Sequence, residues 1–186
     1  NAASNVEEME NKFNVVFKNT SESMDKWADS YADAIGRSKT EIKTAISNQS
    51  DLMIGMGMTE EVAGDLSKKY TELAYDLASF NNVNDATALE AMTKAMYGET
   101  EMAKQLGLNL SATTMENSEY VKSLGKKWSA MTQAEKAEAY YQEALKQSVN
   151  AIGDAERSSD SYANQIRRTQ SKITEFTETL GSYMLP

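Results

Sequence analysis

The chain of 186 residues contains no cysteine and no histidine. It therefore has no disulfide, no thiolate nucleophile, no cysteine or histidine zinc ligand and no Ser-His-Asp or Cys-His catalytic arrangement. It also lacks the side chain that most often acts as a pH switch near neutrality. These absences remove many familiar routes to catalysis and metal binding. We expect no enzyme activity, no cofactor, and no catalytic, cofactor-binding or metal-binding residues.

Proline is nearly absent too, since the only one is Pro186. No residue in the body of the chain carries the helix-breaking penalty of proline, about 3 kcal/mol. β-Branched residues are scarce, whereas alanine is frequent and there are 11 methionines. This composition disfavours β-sheet and suits helices that approach each other closely. No apolar run approaches the roughly 20 residues that span a bilayer, so we expect no membrane segment.

Apolar residues recur at spacings of three and four along the whole chain, as in amphipathic helices. This pattern predicts an all-α fold, a bundle of about eight or nine helices that ends in a long heptad-patterned helix. The predicted helices are 4–19, 22–35, 39–54, 60–80, 85–97, 100–106, 112–124, 132–152 and 156–184. The strongest amphipathic face consists of Val62, Leu66, Leu73, Leu77 and Phe80.

Helix start and stop signals support these boundaries. Three Ser/Thr-x-x-Glu sequences fit the capping box, in which each side chain satisfies a free backbone amide. They are Ser4–Glu7, Ser38–Glu41 and Thr132–Glu135. Thr59 and Asn84 are further predicted helix starts. Glycines stand where five helices should end, in the left-handed position that glycine adopts at least cost; they are Gly36, Gly98, Gly107, Gly125 and Gly153.

The same pattern predicts two parts, a compact helical domain over 1–155 and a long C-terminal helix over 156–186. Apolar residues of this helix step by four and three through about three heptads, a coiled-coil spacing. The seam consists of Tyr162, Ile166, Thr169, Ile173, Phe176, Leu180 and Tyr183. We expect it to be buried within the domain or against a partner copy, and Ile173→Asp to be severely destabilising. Sparse Leu, Ile, Val and Phe favour self-association.

Four groups of residues suggest specific chemistry, and in each the structural interpretation is preferred. The carboxylates Glu7/Glu8/Glu10, Glu60/Glu61 and Glu99/Glu101 fit solvated helix faces better than a glycosidase pair. Asn82, Asn84 and Asp85 lack the glycine and glutamate of a calcium loop. The sequence GMGM at 55–58 lacks the ending of a phosphate loop, and its methionines fit a core better than a binding surface.

The fourth group is basic: Arg167, Arg168 and Lys172, and Lys126 and Lys127 beside Trp128. The net charge of −9 and the isoelectric point near 4.7 disfavour phosphate binding, so we expect no direct nucleic acid binding by this chain. The first residue is Asn1 rather than methionine, which favours a piece of a longer parent protein.

The chain resembles the conserved core region of the tape measure proteins of long-tailed bacteriophages. The resemblance runs across nearly the whole chain and lies in the order and spacing of short segments. They are EEMENKFNVVF at 7–17, YADAIGRS at 31–38, GMGMTEE at 55–61, LS at 66–67, LASFNNV at 77–83, GETE at 98–101, LGL at 106–108, GD at 153–154, SYANQ at 161–165, LG at 180–181 and LP at 185–186.

This resemblance implies a structural tail protein of a phage or prophage that acts in tail assembly and in setting tail length. Its implied partners are the tail tube protein, tail assembly chaperones and tail tip proteins. Its implied locations are the virion, inside the tail tube, and the host cytoplasm during assembly. Two alternatives are a helical adaptor domain of a secreted or injected bacterial protein and, with less support, a peptidoglycan-cleaving enzyme that uses a carboxylate pair.

Overall fold

The computed structural model of the chain describes residues 2–159 and 162–183. Over these residues it has ten α-helices, two short 3-10 helices and no strand, so the predicted all-α fold is confirmed. The α-helices are α1 Ala2–Phe17, α2 Ser21–Ile35, α3 Lys39–Gly55, α4 Glu60–Asn81, α5 Asp85–Ala95, α6 Ala112–Asn117, α7 Glu119–Ser123, α8 Gln133–Gln147, α9 Asp154–Arg157 and α10 Tyr162–Tyr183. The 3-10 helices are Met102–Leu106 and Trp128–Ala130.

Several predicted helices are divided or shortened in the structure. The predicted helix 112–124 breaks at Ser118, which has extended backbone and whose side chain accepts a hydrogen bond from the Val121 amide, so that it caps α7. The predicted helix 132–152 ends at Gln147, and the predicted helix 156–184 is replaced by α9 and α10. Gly153 keeps its left-handed backbone, but it precedes α9 instead of ending α8.

The capping predictions are confirmed at four helices and wrong at one. Complete capping boxes begin α3 at Ser38 and α8 at Thr132, and the Thr59 and Asn84 side chains cap α4 and α5. Ser4 is not a cap, because α1 already begins at Ala2 and Ser4 lies inside it.

Helix α4 lies at the centre of the fold, packed against α3, α5, α8 and α9. Its Leu66, Leu73 and Leu77 are each only 2 % exposed. The phenol of Tyr70 donates a 2.6 Å hydrogen bond to the carbonyl of Ala137 in α8, which satisfies a polar atom inside the core. The predicted face is too long, however, because Val62 at one end of it is 53 % exposed. Phe80 at the other end is also exposed.

The buried apolar residues form two clusters. The larger joins α4, α5 and α8 with the segments between them, and the smaller joins α1, α2 and α3 around Phe13, Phe17, Ile42 and Ile46. Leu89 of α5 is partly buried against both clusters. Among the methionines of the GMGM region, Met53 is fully buried, and Met56 and Met58 pack against the larger cluster, as core filling predicts.

Candidate functional site

Helix α10 lies beside α1 and is joined to the start of α3 and to the segment after α4 through polar contacts. The Ser171 hydroxyl, which is buried, donates a 2.9 Å hydrogen bond to Glu41 Oε2 in α3. The amide of Lys39 and the hydroxyl of Thr40, at the start of α3, donate to carboxylates of α10 at 3.2 and 3.0 Å. Arg167 Nη2 donates to the Val83 carbonyl at 2.9 Å.

The α10 residues in these contacts are spaced by four, four and three, so they lie on one face of the helix. They are Arg167, Ser171, Glu175 and Glu178. A helix turns by about 100° per residue, which places Ile166 and Ile173 on the opposite face. Ile166 is 42 % exposed and Ile173 is 60 % exposed. The polar face of α10 thus meets the protein, and these two apolar side chains point away from it.

The seam was predicted to be buried either within the domain or against a partner copy, and this arrangement corrects the first of these two predictions. At Ile166 and Ile173 the seam is not buried within the domain, so Ile173→Asp would not place a charge inside the fold. Burial against a partner copy stays a prediction. The side chains of Tyr162, Phe176, Leu180 and Tyr183 lie outside the described part of the structure. The candidate interaction surface of α10, which we call the outer face, is therefore defined by Ile166 and Ile173.

A buried arginine lies beneath the attachment of α10. Arg37 Nε donates a 2.6 Å hydrogen bond to Asp85 Oδ2, and its guanidinium also donates to the carbonyl of Ile35. Arg167 of α10 approaches the second oxygen of Asp85 at 3.8 Å. Asp85 therefore connects α5 with the corner between α2 and α3 and with α10. The sequence gives no sign of this contact, because the two arginines are 130 positions apart and meet only in the fold.

A second buried cation holds α1, α2 and α3 together. Lys43 Nζ contacts the carboxylates of Glu10 at 2.5 Å and Asp25 at 2.9 Å and lies 4.1 Å from the centre of the Phe13 ring. Burial opposes ionisation of Asp25, but the hydrogen bonds from Lys43 and Lys39 outweigh it and lower the pKa of Asp25. Glu10 was expected on a solvated face, and its side chain is 44 % exposed while it also pairs with Lys43.

A groove of about 740 Å³ lies between α1, α3 and α5. It is lined by α3 from Thr40 to Gln49 and by α5 from Asp85 to Lys94, both with the spacing i, i+1, i+4, i+5, i+8, i+9. Each helix thus presents a single face to the groove. Tyr75 of the central helix α4 also lines it. Since Leu89 of this lining packs against both core clusters, the groove lies where the two clusters meet.

Three carboxylates gather at the end of this groove next to α10. Glu41, Glu175 and Glu178 accept hydrogen bonds from neutral donors, and within the described residues none forms an ion pair. Burial, followed by the charges of Glu175 and Glu41, raises the pKa of Glu178, although its bond from Thr40 lowers it. This end of the groove therefore carries carboxylates that have no direct ion-pair partner among the described residues.

The other groups singled out in the sequence are placed in structural roles. Asn82 ends α4 in a left-handed conformation, and Asn84 caps α5. Lys126 pairs with Glu135. The carboxylate of Glu60 accepts hydrogen bonds from Thr20. Among the described residues there is no group of three acidic side chains arranged to hold a metal ion.

A pair of carboxylates that the sequence analysis did not single out is partly buried on α4. Burial and then the neighbouring Asp76 raise the pKa of Glu72. Burial also raises the pKa of Asp76, against the amides of Gly153 and Ala155, which donate to it at 2.7 and 3.0 Å. Those two bonds hold the start of α9 against α4, so the geometry assigns Asp76 a structural role.

The fold and these surfaces define the class of protein: an all-helical domain with an exposed apolar face on its last helix and a groove with an acidic end. No protein-family model, no curated protein and no solved structure matches the chain. The resemblance to tape measure proteins therefore stays a proposal. Within the described residues, every helix is too short or too polar to cross a membrane.

Proposed function

We propose that this chain is an assembly domain of a phage tail tape measure protein, without enzyme activity of its own. The observation that carries the proposal is the division of the chain into a packed, capped helical body and a long terminal helix with an outward apolar face. A body of this kind suits assembly or anchoring, whereas measuring length requires extended helix, which gives about 1.5 Å per residue.

The breaks between helices support assignment of the measuring role to other parts of the parent protein. Gly36, Gly98 and Gly107 all have left-handed backbone, and each lies between the end of one helix and the start of the next. As one uninterrupted helix, the 186 residues would span about 280 Å. Folding into packed helices shortens the chain to much less than that length and buries an apolar core.

The outer face of α10 supports a role in self-association. Exposed aliphatic residues at a heptad spacing lose contact with water when two such helices pair. We propose that Ile166 and Ile173 pack against a second copy of the chain. The further partners in the proposal are the tail tube protein, the tail assembly chaperones and the tail tip proteins. The proposed locations are the virion and, during assembly, the host cytoplasm.

The decisive experiment is an in-frame deletion of this segment from the phage gene, followed by electron microscopy of the tails. We expect lost or misassembled tails, because the segment acts in assembly. Intact and infectious tails that are uniformly shorter by about 280 Å would show that the segment itself measures tail length as extended helix. That result would contradict the proposal. Intact tails of unchanged length would contradict it as well.

The helical adaptor is the second candidate, and the groove between α3 and α5 is the observation that favours it. An adaptor would bind its partner outside any virion, so an immunoblot of purified and dissociated tails should then fail to detect the segment. Peptidoglycan cleavage has less support, because the Glu72 and Asp76 pair lies outside the groove and Asp76 is bonded to the start of α9. Clearing of a cell-wall gel by the chain would establish it.

A further inference from the structure

We propose that the groove between α3 and α5 binds a positively charged amphipathic helix of a partner protein. The inference concerns a different surface from the outer face of α10 and does not depend on the tail assignment. It rests on the shape of the groove, on its apolar lining and on the charges at its two ends.

The shape fits a short stretch of helix. The linings of α3 and α5 each extend over ten residues, so each is about 14 Å long at 1.5 Å per residue. Val6 and Met9 of α1 form part of the side wall, with Leu89 on α5. An amphipathic helix bound in such a groove would place aliphatic side chains at i, i+3, i+4 and i+7 against this lining.

The charges specify which helix fits. Two of the acidic groups of the lining are compensated within the protein, because Asp85 pairs with Arg37 and Glu90 pairs with Lys94 at 2.7 Å. Glu41 and Glu178 form no ion pair within the described residues, and Glu175 lies beside them. A lysine or arginine of a bound helix would compensate them, whereas an acidic helix would meet repulsion of like charges.

The test is binding of a synthetic peptide to the whole chain, measured by fluorescence anisotropy. The peptide has about 18 residues, long enough to show helicity, with leucines on one face and lysines beside them. The matched control peptide carries glutamate in place of every lysine. We expect binding of the lysine peptide that weakens with added salt, and no binding of the glutamate peptide. Equal binding of the two peptides would overturn the proposal.

Two variants locate the site. Thr44 is exposed on α3 in the groove, so Thr44→Arg fills the groove and brings its own cation, and we expect binding to weaken at least about tenfold. The matched control is Thr113→Arg on the exposed surface of α6, which should bind like wild type. Equal affinities of the two variants would show that the peptide binds elsewhere and would overturn the proposal.

A charge-only variant completes the test. Glu41→Gln with Glu178→Gln keeps an acceptor for Ser38, Ser171 and Thr40, and glutamine is a normal residue in a capping box, so the fold should be retained. The variant loses the two partly exposed ion pairs that Glu41 and Glu178 would form with cations of the peptide. We therefore expect the peptide to bind about tenfold more weakly, with a smaller dependence on salt. Unchanged affinity would mean that the acidic end does not recognise the peptide.

Discussion

Helices α4 and α10 are the same length, 22 residues, and both carry apolar residues at spacings of three and four. In α4 this face is buried, with Leu66, Leu73 and Leu77 each 2 % exposed. In α10 the described apolar side chains Ile166 and Ile173 are exposed, and polar side chains meet the protein instead. Periodicity thus indicates that a helix is amphipathic, but not which of its two faces the rest of the chain covers.

The physical reason lies in the surface that each helix meets. Helix α4 packs its leucines against apolar residues of α3, α5 and α8, and its buried polar residues Ser67 and Thr71 pair with polar side chains of α3. Helix α10 lies beside α1 and reaches the start of α3, where a backbone amide and the capping carboxylate of Glu41 form hydrogen bonds with it. Hydrogen bonds to these groups require polar residues on α10, and Ile166 and Ile173 are left on the outside.

The largest expected effect is in α4. Leu73→Ala removes three buried carbon atoms from the larger core cluster, and we expect a loss of about 2–5 kcal/mol in the free energy of unfolding. The matched change in α10, Ile173→Ala, should cost less than about 1 kcal/mol because the side chain is exposed. Urea unfolding measures both. Similar losses at the two positions would contradict the difference between the helices.

A smaller loss is expected at the buried cation of the body. Glu10→Gln with Asp25→Asn leaves Lys43 almost fully buried without a carboxylate, and we expect a loss of about 2–3 kcal/mol in the same measurement. The triple variant that also carries Lys43→Met removes the buried charge. It should recover most of the free energy of unfolding that the double variant loses. No recovery would show that the two carboxylates act through other contacts.

The polar attachment of α10 should be weaker still. Ser171→Ala removes one partly buried hydrogen bond to Glu41, and we expect a cost of about 1 kcal/mol in the free energy of unfolding. Because the bond joins α10 to α3, the loss should appear as faster hydrogen exchange of α10 amides, with the exchange of α4 amides unchanged. Faster exchange in both helices would mean that α10 is part of the same cooperative unit as the core.

The smallest effect is a dependence on pH at Glu72. Its folded pKa is raised, so the folded protein binds a proton more readily than the unfolded chain. This stabilisation is fully present below the unfolded pKa and is lost as the pH rises through the folded pKa. Glu72→Gln should therefore raise the melting temperature slightly at pH 7, with the gain falling towards pH 4. A gain that persists at pH 4 would show that its charge is not the cause.

The sequence was sufficient for the fold class, for most helix boundaries and for the caps at Ser38, Thr59, Asn84 and Thr132, because these depend on neighbours within four residues. It was insufficient at Ser118, where a serine inside a helical pattern caps a new helix. It gave no sign of Lys43, Arg37 or the groove. Those features depend on pairs of residues from distant helices, and one sequence carries no information on such pairs.

We propose that the outer face of α10 contributes to association of two chains and not to folding. The most direct test measures molecular mass by light scattering and the melting temperature together, for wild type and for Ile166→Asp with Ile173→Asp. We predict that wild type forms a species larger than one chain and that the variant is monomeric. The melting temperature of the variant should fall only slightly, which corresponds to at most about 1 kcal/mol in the free energy of unfolding. A variant that unfolds, or a wild type that is monomeric at every concentration, would contradict the claim.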